Sequence, residues 1–387
     1  MDQGNEKQIR LSGIIVSMKY VAVIHSQLHL NALYAYIKMN NICSEDEIEV
    51  YLQEEPDGST LISEEDFFFP CKYTVSRKKE QLKKLKKISK SINRITYFYL
   101  LKICSKKGTH INCIYPDNST IYVKDLYRFQ KASRADCLKL VIIEEGIGMY
   151  IRDEKRWLER GIESASGIKK TVYKILSPIW FKYSTKKILE MYSKNGNLQR
   201  YNLFLDTKDG LVPNKDYCKA FASVFSERAE RYCNCVDYSN TIIINSQPMF
   251  EELKIDDDIE CYKRIKEICN IKNIRLIIKP HPREKHLERY LGFEVDTENR
   301  GISQEILIAK SNTKPLAIIG LFSTTLVTGN IFYDIPAICV GKIIDRGKLV
   351  GFGNDIDNFI NAFHNTINVP ENYEDINVLI EQLRKIY

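Results

Sequence analysis

Three apolar segments of the sequence each end in side chains that can do chemistry. They are LVIIEEG from Leu140, LIIKPHPRE from Leu276 and LAIIGLFSTT from Leu316. An apolar run that stops at glycine or proline is typical of a short buried strand. Open α/β folds bind their ligands at the carboxyl ends of such strands. The sequence therefore predicts a pair of carboxylates, an imidazole and a group of hydroxyls at strand ends.

The carboxylates of Glu144 and Glu145 suit general base catalysis. Burial at a strand end and a neighbouring negative charge both raise the affinity of a carboxylate for protons. Successive residues of a strand point to opposite faces, so only one of the two can face a ligand. Gly146 then allows a sharp turn. Two solvated glutamates in a turn are the alternative, and a glycosidase pair, which flanks the scissile bond, is another.

His281 lies between two prolines, which fix the backbone around the imidazole. Lys279 and Arg283 add positive charge beside it. Such a group can neutralise charge that develops on a leaving phosphate, either electrostatically or as an acid. A surface turn that happens to contain a histidine is the alternative interpretation.

Ser323, Thr324 and Thr325 follow the third predicted strand and precede a predicted helix. Hydroxyl and backbone N–H groups at a helix start favour anions such as phosphate. Hydroxyls at this position also cap helices. The two roles are compatible, so both interpretations stay open.

The Glu-Glu-Gly, His-Pro and Ser-Thr elements, in this order, resemble the (D/E)-(D/E)-G, HP and S/T motifs of bacterial sialyltransferases. Within that group the sequence is similar to glycosyltransferase family 52 and to the related capsule sialyltransferases and polysialyltransferases. The resemblance implies an α/β, GT-B-type fold of two facing Rossmann-like, doubly wound domains with an inter-domain cleft. It further implies an inverting, metal-independent transfer of sialic acid from CMP-sialic acid to a sugar hydroxyl of a capsular polysaccharide or lipooligosaccharide.

The resemblance also assigns residues to roles. It implies Glu144 as the base with Glu145 secondary, and His281 as the third catalytic residue. The expected donor-binding residues are Lys279, His281, Pro282, Gly320, Ser323, Thr324, Thr325 and Gln247. The expected acceptor-side residues are Gly146, Ser26 and Gln27, although a helix N-cap is an alternative role for the last two. No metal ligands are expected. The hydroxyl cluster is shorter than the family's, so which hydroxyl meets phosphate stays open.

Other functions compete with this hypothesis. The same fold could use CMP-Kdo or a UDP-sugar as donor, or the protein could be a non-catalytic component of glycan assembly. The sequence has no Walker A motif, and no G-x-G-x-x-G follows its first predicted strand. Nucleotide hydrolysis and dehydrogenation are therefore weak alternatives, and no cofactor is expected.

Composition places the protein among cytoplasmic globular proteins. With 387 residues, the chain is long enough for two domains. A content of 44% hydrophobic and 28% charged residues is typical of globular proteins. No apolar run approaches the roughly 18 to 20 residues of a membrane helix, and the first residues lack the layout of a secretory signal. The 11 cysteines are an odd number without C-x-x-C spacing, which favours reduced thiols over disulfides or zinc.

A formal net charge of +7 comes partly from residues 76–94, which predict a basic amphipathic helix. Three interpretations stay open: a solvated helix, a peripheral contact with the inner-membrane surface, and nucleic-acid binding. No nucleic-acid motif accompanies the charge, so no nucleic-acid partner is expected.

The predicted elements divide the chain into an N-terminal domain, 1–205, a linker region, 206–240, and a C-terminal domain, 241–387. Strands are predicted at 19–25, 47–53, 137–144, 241–245 and 336–341, and helices at 26–40, 217–231 and 251–271. Residues 1–17 are expected to be peripheral. Residues 150–201, rich in Lys, Tyr and Trp, could shape an acceptor pocket or the contact of a homodimer.

Overall fold

Two parallel β-sheets organise the part of the chain that the computed structural model describes. The described residues are 19–24, 26–52, 61–77, 110–115, 137–144, 146–151, 167, 170–171, 175, 193–196, 198–206, 212–231, 235–253, 256–345 and 353–386. The predicted catalytic residue Glu145 lies outside them. So do most of the segments 78–136 and 152–197, including nearly all of the predicted basic helix.

The first sheet has six described strands, all in parallel pairs, in the order β3-β2-β1-β4-β5-β6. The chain moves outward from β1 in one direction and then continues on the other side from β4, as in a doubly wound sheet. The strands are β1 Lys19–Ile24, β2 Glu47–Leu52, β3 Lys72–Arg77, β4 His110–Tyr115, β5 Cys137–Ile143 and β6 Leu198–Tyr201.

The second sheet has five described strands, again all parallel, in the order β11-β10-β7-β8-β9. Its central strand β7 is buried along its whole length, because helices cover both faces of a parallel sheet. The strands are β7 Thr241–Asn245, β8 Arg275–Lys279, β9 Glu294–Val295, β10 Ala317–Gly320 and β11 Ala337–Cys339.

Nine helices surround the sheets in the described part of the chain. They are α1 Gln27–Met39, α2 Gly148–Ile151, α3 Lys215–Ala229, α4 Met249–Leu253, α5 Asp257–Ile271, α6 Gln304–Lys310, α7 Thr324–Tyr333, α8 Gly353–Phe363 and α9 Tyr373–Ile386. Short 3₁₀ turns occur at Glu64–Asp66 and Leu287–Tyr290. The predicted fold class, α/β with two doubly wound GT-B-type halves, is confirmed.

The helix α3 and an aromatic cluster join the two halves. α3 packs against α1 of the first half and α6 of the second. Its Phe221 and Phe225 contact Phe332 of α7, with ring centroids 6.1 and 6.4 Å apart. Phe204, which follows β6, contacts the same Phe332 ring. The predicted linker region therefore contains a helix that is packed between the halves.

Three local predictions differ from the structure. The predicted helix at 251–271 is two helices, α4 and α5. The strands β3 and β6 were not predicted, because each lies at a sheet edge and lacks the continuous apolar run of a central strand. Ser76 and Arg77, expected to start the basic helix, instead end β3. None of the described helices combines the length and the apolar character that a membrane span requires.

Candidate active site

The turn after β5 fixes Glu144 inside the protein. The Glu144 side chain is fully buried, and its Oε2 accepts hydrogen bonds from the Leu203 backbone N–H at 2.6 Å and the Tyr150 hydroxyl at 2.8 Å. The hydroxyl of Tyr217, on α3, donates to the Glu144 carbonyl at 2.7 Å. Burial, with the nearby Glu144 carboxylate, raises the pKa of Tyr150, so this phenol stays protonated and donates.

Gly146 brings this turn against the second half of the molecule. A Cβ atom added to Gly146 would lie 2.4 Å from Thr324 Oγ1. The next residue, Ile147, donates its backbone N–H to the same oxygen at 3.3 Å. The carboxyl end of β5 therefore lies directly against the start of α7, which follows β10. Only glycine allows this approach without a shift of Thr324.

The His-Pro turn holds His281 in a defined neutral form. The Arg283 backbone N–H donates to His281 Nδ1 at 3.1 Å, so the proton of the neutral ring is on Nε2. Burial and the positive charges of Arg283 and Arg300 lower the pKa of His281 to about 3. This imidazole is uncharged at neutral pH and can donate a hydrogen bond from Nε2. The neutral ring therefore carries no positive charge that could neutralise a leaving phosphate, which was one of the two roles considered from the sequence.

The buried carboxylate of Glu284 holds the His-Pro turn in place through hydrogen bonds. It is fully buried, and its Oε2 accepts the backbone N–H of His281 at 2.7 Å and the hydroxyl of Ser246. Its Oε1 accepts the hydroxyl of Tyr290 at 2.5 Å. Arg289 lies 3.7 Å from this oxygen and also pairs with the buried Asp258. The turn is thus tied to both β7 and the 3₁₀ turn that follows it.

Lys279 is directed away from solvent. Its Nζ donates to the backbone carbonyl of Asn299, and burial lowers its pKa to about 8. Pro282 is exposed, and its carbonyl accepts a hydrogen bond from Arg300 at 2.8 Å. The structure gives Lys279 a partner within the protein, whereas the ring of Pro282 faces solvent.

Ser323, Thr324 and Thr325, which follow β10, make different contacts. Ser323 caps α7, since its Oγ accepts the backbone N–H of Thr325 at 3.3 Å. Thr324 meets Ile147, as described above, and Thr325 is buried. Gly320 ends β10 beside β7, where an added Cβ would lie 3.2 Å from the Asn245 carbonyl oxygen. Capping and contact with the first half account for two of these residues.

The three other predicted residues lie at two different strand ends. Gln247 follows β7 and is partly buried. Ser26 is the N-cap of α1, because its Oγ accepts the His29 backbone N–H at 3.3 Å. Gln27 donates to Asp66 at 2.8 Å and accepts from the buried Arg228 at 2.8 Å. Ser26 and Gln27 therefore have structural contacts at the start of α1.

Sequence reasoning missed the residues that hold the motifs in place. Glu284 belongs to the same turn as His281, and its spacing of three residues could have indicated the turn hydrogen bond from the Glu284 N–H to the His281 carbonyl, 2.9 Å long. Tyr217 and Ser246 carried no local signal, because their partners Glu144 and Glu284 are distant along the chain. Tyr150 is only six residues from Glu144, but no sequence pattern pairs the two.

A family model described as alpha-2,8-polysialyltransferase (POLYST) matches residues 69–342, more than half of the chain. This region begins before β3 and includes all three motifs. No curated protein matches the sequence.

Solved structures resemble most of the chain at 12% identity. The alpha/beta-galactoside alpha-2,3-sialyltransferase of Photobacterium phosphoreum is 12% identical, with a TM-score of 0.48 over 93% of this chain and 99% of that chain. A 2,6-sialyltransferase from Photobacterium sp. JT-ISH-224, in a ternary complex with CMP and lactose, is 12% identical, with a TM-score of 0.40 over 91% and 78%. The UDP-GlcNAc 2-epimerase of Methanocaldococcus jannaschii is 12% identical, with a TM-score of 0.45 over 95% and 99%.

Proposed function

Because the chain belongs to the alpha-2,8-polysialyltransferase family and is therefore a glycosyltransferase of the sialyltransferase class, we propose that it transfers sialic acid from CMP-sialic acid to a glycan. The acceptor is the 8-hydroxyl of a sialic acid that ends a capsular polysaccharide or lipooligosaccharide chain. The family description supports the transferred sugar and the linkage. The resemblance of the three motifs to those of bacterial sialyltransferases supports the donor.

The observation that carries this proposal is the contact between the acid turn and the Ser-Thr turn. Ile147 and Thr324 are 177 positions apart, yet they share a hydrogen bond of 3.3 Å. His281 follows β8, which is separated from β10 only by β7. Adjacent strands lie about 4.8 Å apart, so the His-Pro and Ser-Thr turns are near neighbours on one sheet edge. The turn after β5 thus contacts the start of α7, and the turn with His281 follows a strand two positions from β10 in the same sheet.

In the proposed reaction, a carboxylate of the Glu144–Glu145 pair takes the proton of the acceptor hydroxyl. The hydroxyl oxygen attacks the anomeric carbon of sialic acid, and the bond from that carbon to the phosphate oxygen breaks with inversion. CMP leaves with the bonding electron pair. Neutral His281 donates a hydrogen bond from Nε2 to the phosphate, and the start of α7 adds Ser323 and backbone N–H groups.

Glu144 stays the first candidate for the base, with Glu145 second. The hydrogen bonds from Tyr150 and Leu203 hold the Glu144 carboxylate in one orientation. Since this side chain is fully buried, an acceptor hydroxyl reaches it only after a local rearrangement of the residues around it. The single variants E144Q and E145Q assign the role, because a lost general base typically lowers kcat by about 10² to 10⁴.

The test is release of CMP and growth of the glycan with purified protein. CMP-sialic acid, CMP-Kdo and UDP-sugars are offered as donors with an oligosialic acid acceptor, and products are separated by length. Of these donors, we expect the enzyme to use only CMP-sialic acid. An α-2,8-specific sialidase should degrade the products. Turnover with another donor, or none with any donor, would contradict the proposal.

We propose a cytoplasmic enzyme whose basic segment at 76–94 contacts the inner-membrane surface. We also propose a homodimer, with residues 150–201 forming either its contact or the acceptor pocket. Both segments lie mostly outside the described residues. Flotation with anionic vesicles tests the first, and the mass of the purified protein in solution tests the second.

A further inference from the structure

Asn245 ends the central strand β7 at the point where the second sheet reverses its strand order. From β7 the chain proceeds to β8 and β9 on one side, and then to β10 and β11 on the other. The carboxyl ends of the two strands at such a reversal, here β7 and β10, separate the loops that follow them. Ligands of open α/β sheets bind in the crevice that results.

The side-chain oxygen of Asn245 is buried and has no hydrogen-bond partner among the described residues. The residue is 6% exposed, and no described group forms a hydrogen bond with its Oδ1 atom. Burial of an amide oxygen without a hydrogen bond is unfavourable, and buried polar groups in native proteins are nearly always satisfied. An unsatisfied oxygen at the ligand edge of a sheet is free to accept a hydrogen bond from a ligand.

The backbone around Asn245 is held firmly between the two donor-side motifs. Asn245 is paired in register with Lys279 of β8, and the Ser246 N–H donates to the Lys279 carbonyl at 3.1 Å. On its other side is Gly320, where an added Cβ would lie 3.2 Å from the Asn245 carbonyl oxygen. Asn245 thus lies between the His-Pro turn and the Ser-Thr turn.

We infer that Asn245 is a donor-binding residue whose side-chain oxygen accepts a hydrogen bond from the nucleotide of the sugar donor. This inference rests on the proposed function. An amide oxygen needs an N–H or O–H group, so its partner is not the phosphodiester, which offers only acceptors. In CMP the suitable groups are the cytosine 4-amino group and the ribose hydroxyls.

The experiment compares the wild type with Asn245→Leu, which keeps the side-chain size but cannot form hydrogen bonds. Thr241→Val is the matched control, since Thr241 is buried at the opposite end of the same strand and its hydroxyl donates to the Ser239 carbonyl at 2.9 Å. Melting temperature is measured without nucleotide, and CMP affinity is measured by calorimetry. Asn245→Ala repeats the test with a smaller side chain if the leucine variant does not fold.

We expect Asn245→Leu to melt at or above the wild-type temperature and to bind CMP about tenfold more weakly. Thr241→Val should melt lower and bind CMP normally. A lower melting temperature with unchanged CMP affinity for the Asn245 variants would overturn the inference. Wild-type protein that does not bind CMP would instead overturn the proposed function and this inference together.

Nucleotide analogues then identify the partner group. UMP lacks the 4-amino group, and 2′-deoxy-CMP and 3′-deoxy-CMP each lack one ribose hydroxyl. The wild type should bind one of these analogues more weakly than CMP, and Asn245→Leu should bind that analogue and CMP equally. If every analogue loses the same affinity in both proteins, Asn245 contacts none of these groups and the inference fails.

Discussion

Gly146 and Thr324 come so close that a Cβ on Gly146 would lie 2.4 Å from the Thr324 hydroxyl oxygen. The first residue follows the acid pair of the N-terminal half, and the second starts α7 of the C-terminal half. The missing side chain at Gly146 therefore determines how closely the two carboxyl edges approach.

Gly146→Ala should separate the two turns and reduce both stability and transfer. Overpacking of this kind typically costs about 1–3 kcal/mol in the free energy of unfolding. Urea denaturation and the transfer rate measure the effect. Gly301→Ala is the control, because no heavy atom lies within 4 Å of a Cβ added there.

In the double variant, Thr324→Ala should restore the stability that Gly146→Ala loses. It removes Oγ1 and Cγ2, which are the two atoms nearest to the new Cβ. Equal stability losses in the single Gly146 variant and the double variant would show that this contact is not the cause.

Tyr150→Phe should shift the acidic limb of the pH–rate profile to higher pH. The Tyr150 hydroxyl donates to Glu144 Oε2 at 2.8 Å and so favours the charged carboxylate. Loss of a hydrogen bond to a charged group is worth about 1.5–3 kcal/mol, so transfer near the limb should fall about tenfold or more. An initial-rate series from pH 5 to 9 measures the limb.

Tyr333→Phe is the control for this prediction. Tyr333 is also a partly buried phenol, but its hydroxyl donates to the Glu305 carbonyl at 3.2 Å in the second half. This variant should keep the wild-type limb. Identical profiles for wild type and Tyr150→Phe would argue that Glu144 is not the base.

His281→Asn should make stability less dependent on pH in acid. The pKa of His281 is lowered from 6.5 to about 3 in the folded protein. The unfolded chain therefore binds more protons between these values, and this group reduces stability as pH falls through that window. The effect reaches about 1.4 kcal/mol per pH unit.

Urea denaturation between pH 4.5 and 7.5 measures this dependence for wild type and His281→Asn. His364→Gln, at an exposed histidine, should follow the wild type. Parallel stability curves for wild type and His281→Asn would show that His281 protonates normally in the folded state.

Glu284→Gln should destabilise the His-Pro turn and weaken CMP binding. The buried carboxylate accepts hydrogen bonds from His281, Ser246 and Tyr290. Glutamine offers a single acceptor oxygen, so the variant should lose about 1–3 kcal/mol in the free energy of unfolding. Calorimetry with CMP and urea denaturation measure the two effects.

Glu288→Gln serves as the control for Glu284→Gln. Its side chain is 74% exposed in the 3₁₀ turn that follows the His-Pro turn. This variant should match the wild type in both measurements. A Glu284→Gln protein with normal stability and affinity would mean that the buried carboxylate does not position the turn.

Chelation should leave transfer unchanged. In the proposed mechanism the leaving phosphate is stabilised by His281 and by the start of α7, not by a metal ion. Initial rates are compared with and without an excess of EDTA. Loss of activity that Mg²⁺ or Mn²⁺ restores would contradict this part of the mechanism.

The sequence predicted the fold class through its central strands. β1, β5, β7, β8 and β10 are apolar runs, because strands covered on both faces contain few polar residues. The edge strands β3 and β6 escaped prediction since one side of each lacks a neighbouring strand. The split of the predicted helix at 251–271 escaped as well, although Asp256, which precedes α5, is a residue type typical of a helix N-cap.

The sequence predicted the motifs of the candidate site but not the residues that hold those motifs in place. The residue types at the ends of β5, β8 and β10 are visible in sequence, because a strand and the turn after it are local. The neutral state of His281 was not visible, since it depends on the Arg283 N–H bond and on burial. The hydrogen bonds of Gln27 with Asp66 and Arg228 depend likewise on the tertiary structure. The N-cap role of Ser26 is local and was one of the alternatives that the sequence offered.

The sequence by itself therefore determined the two-sheet architecture and the polar groups at strand ends, because both follow from the order of apolar and polar residues along short segments. Only the tertiary structure decided which of these groups are buried, which are held by a partner, and that Gly146 meets Thr324. Those properties depend on contacts between residues as far apart as Ile147 and Thr324, and no local pattern encodes such contacts.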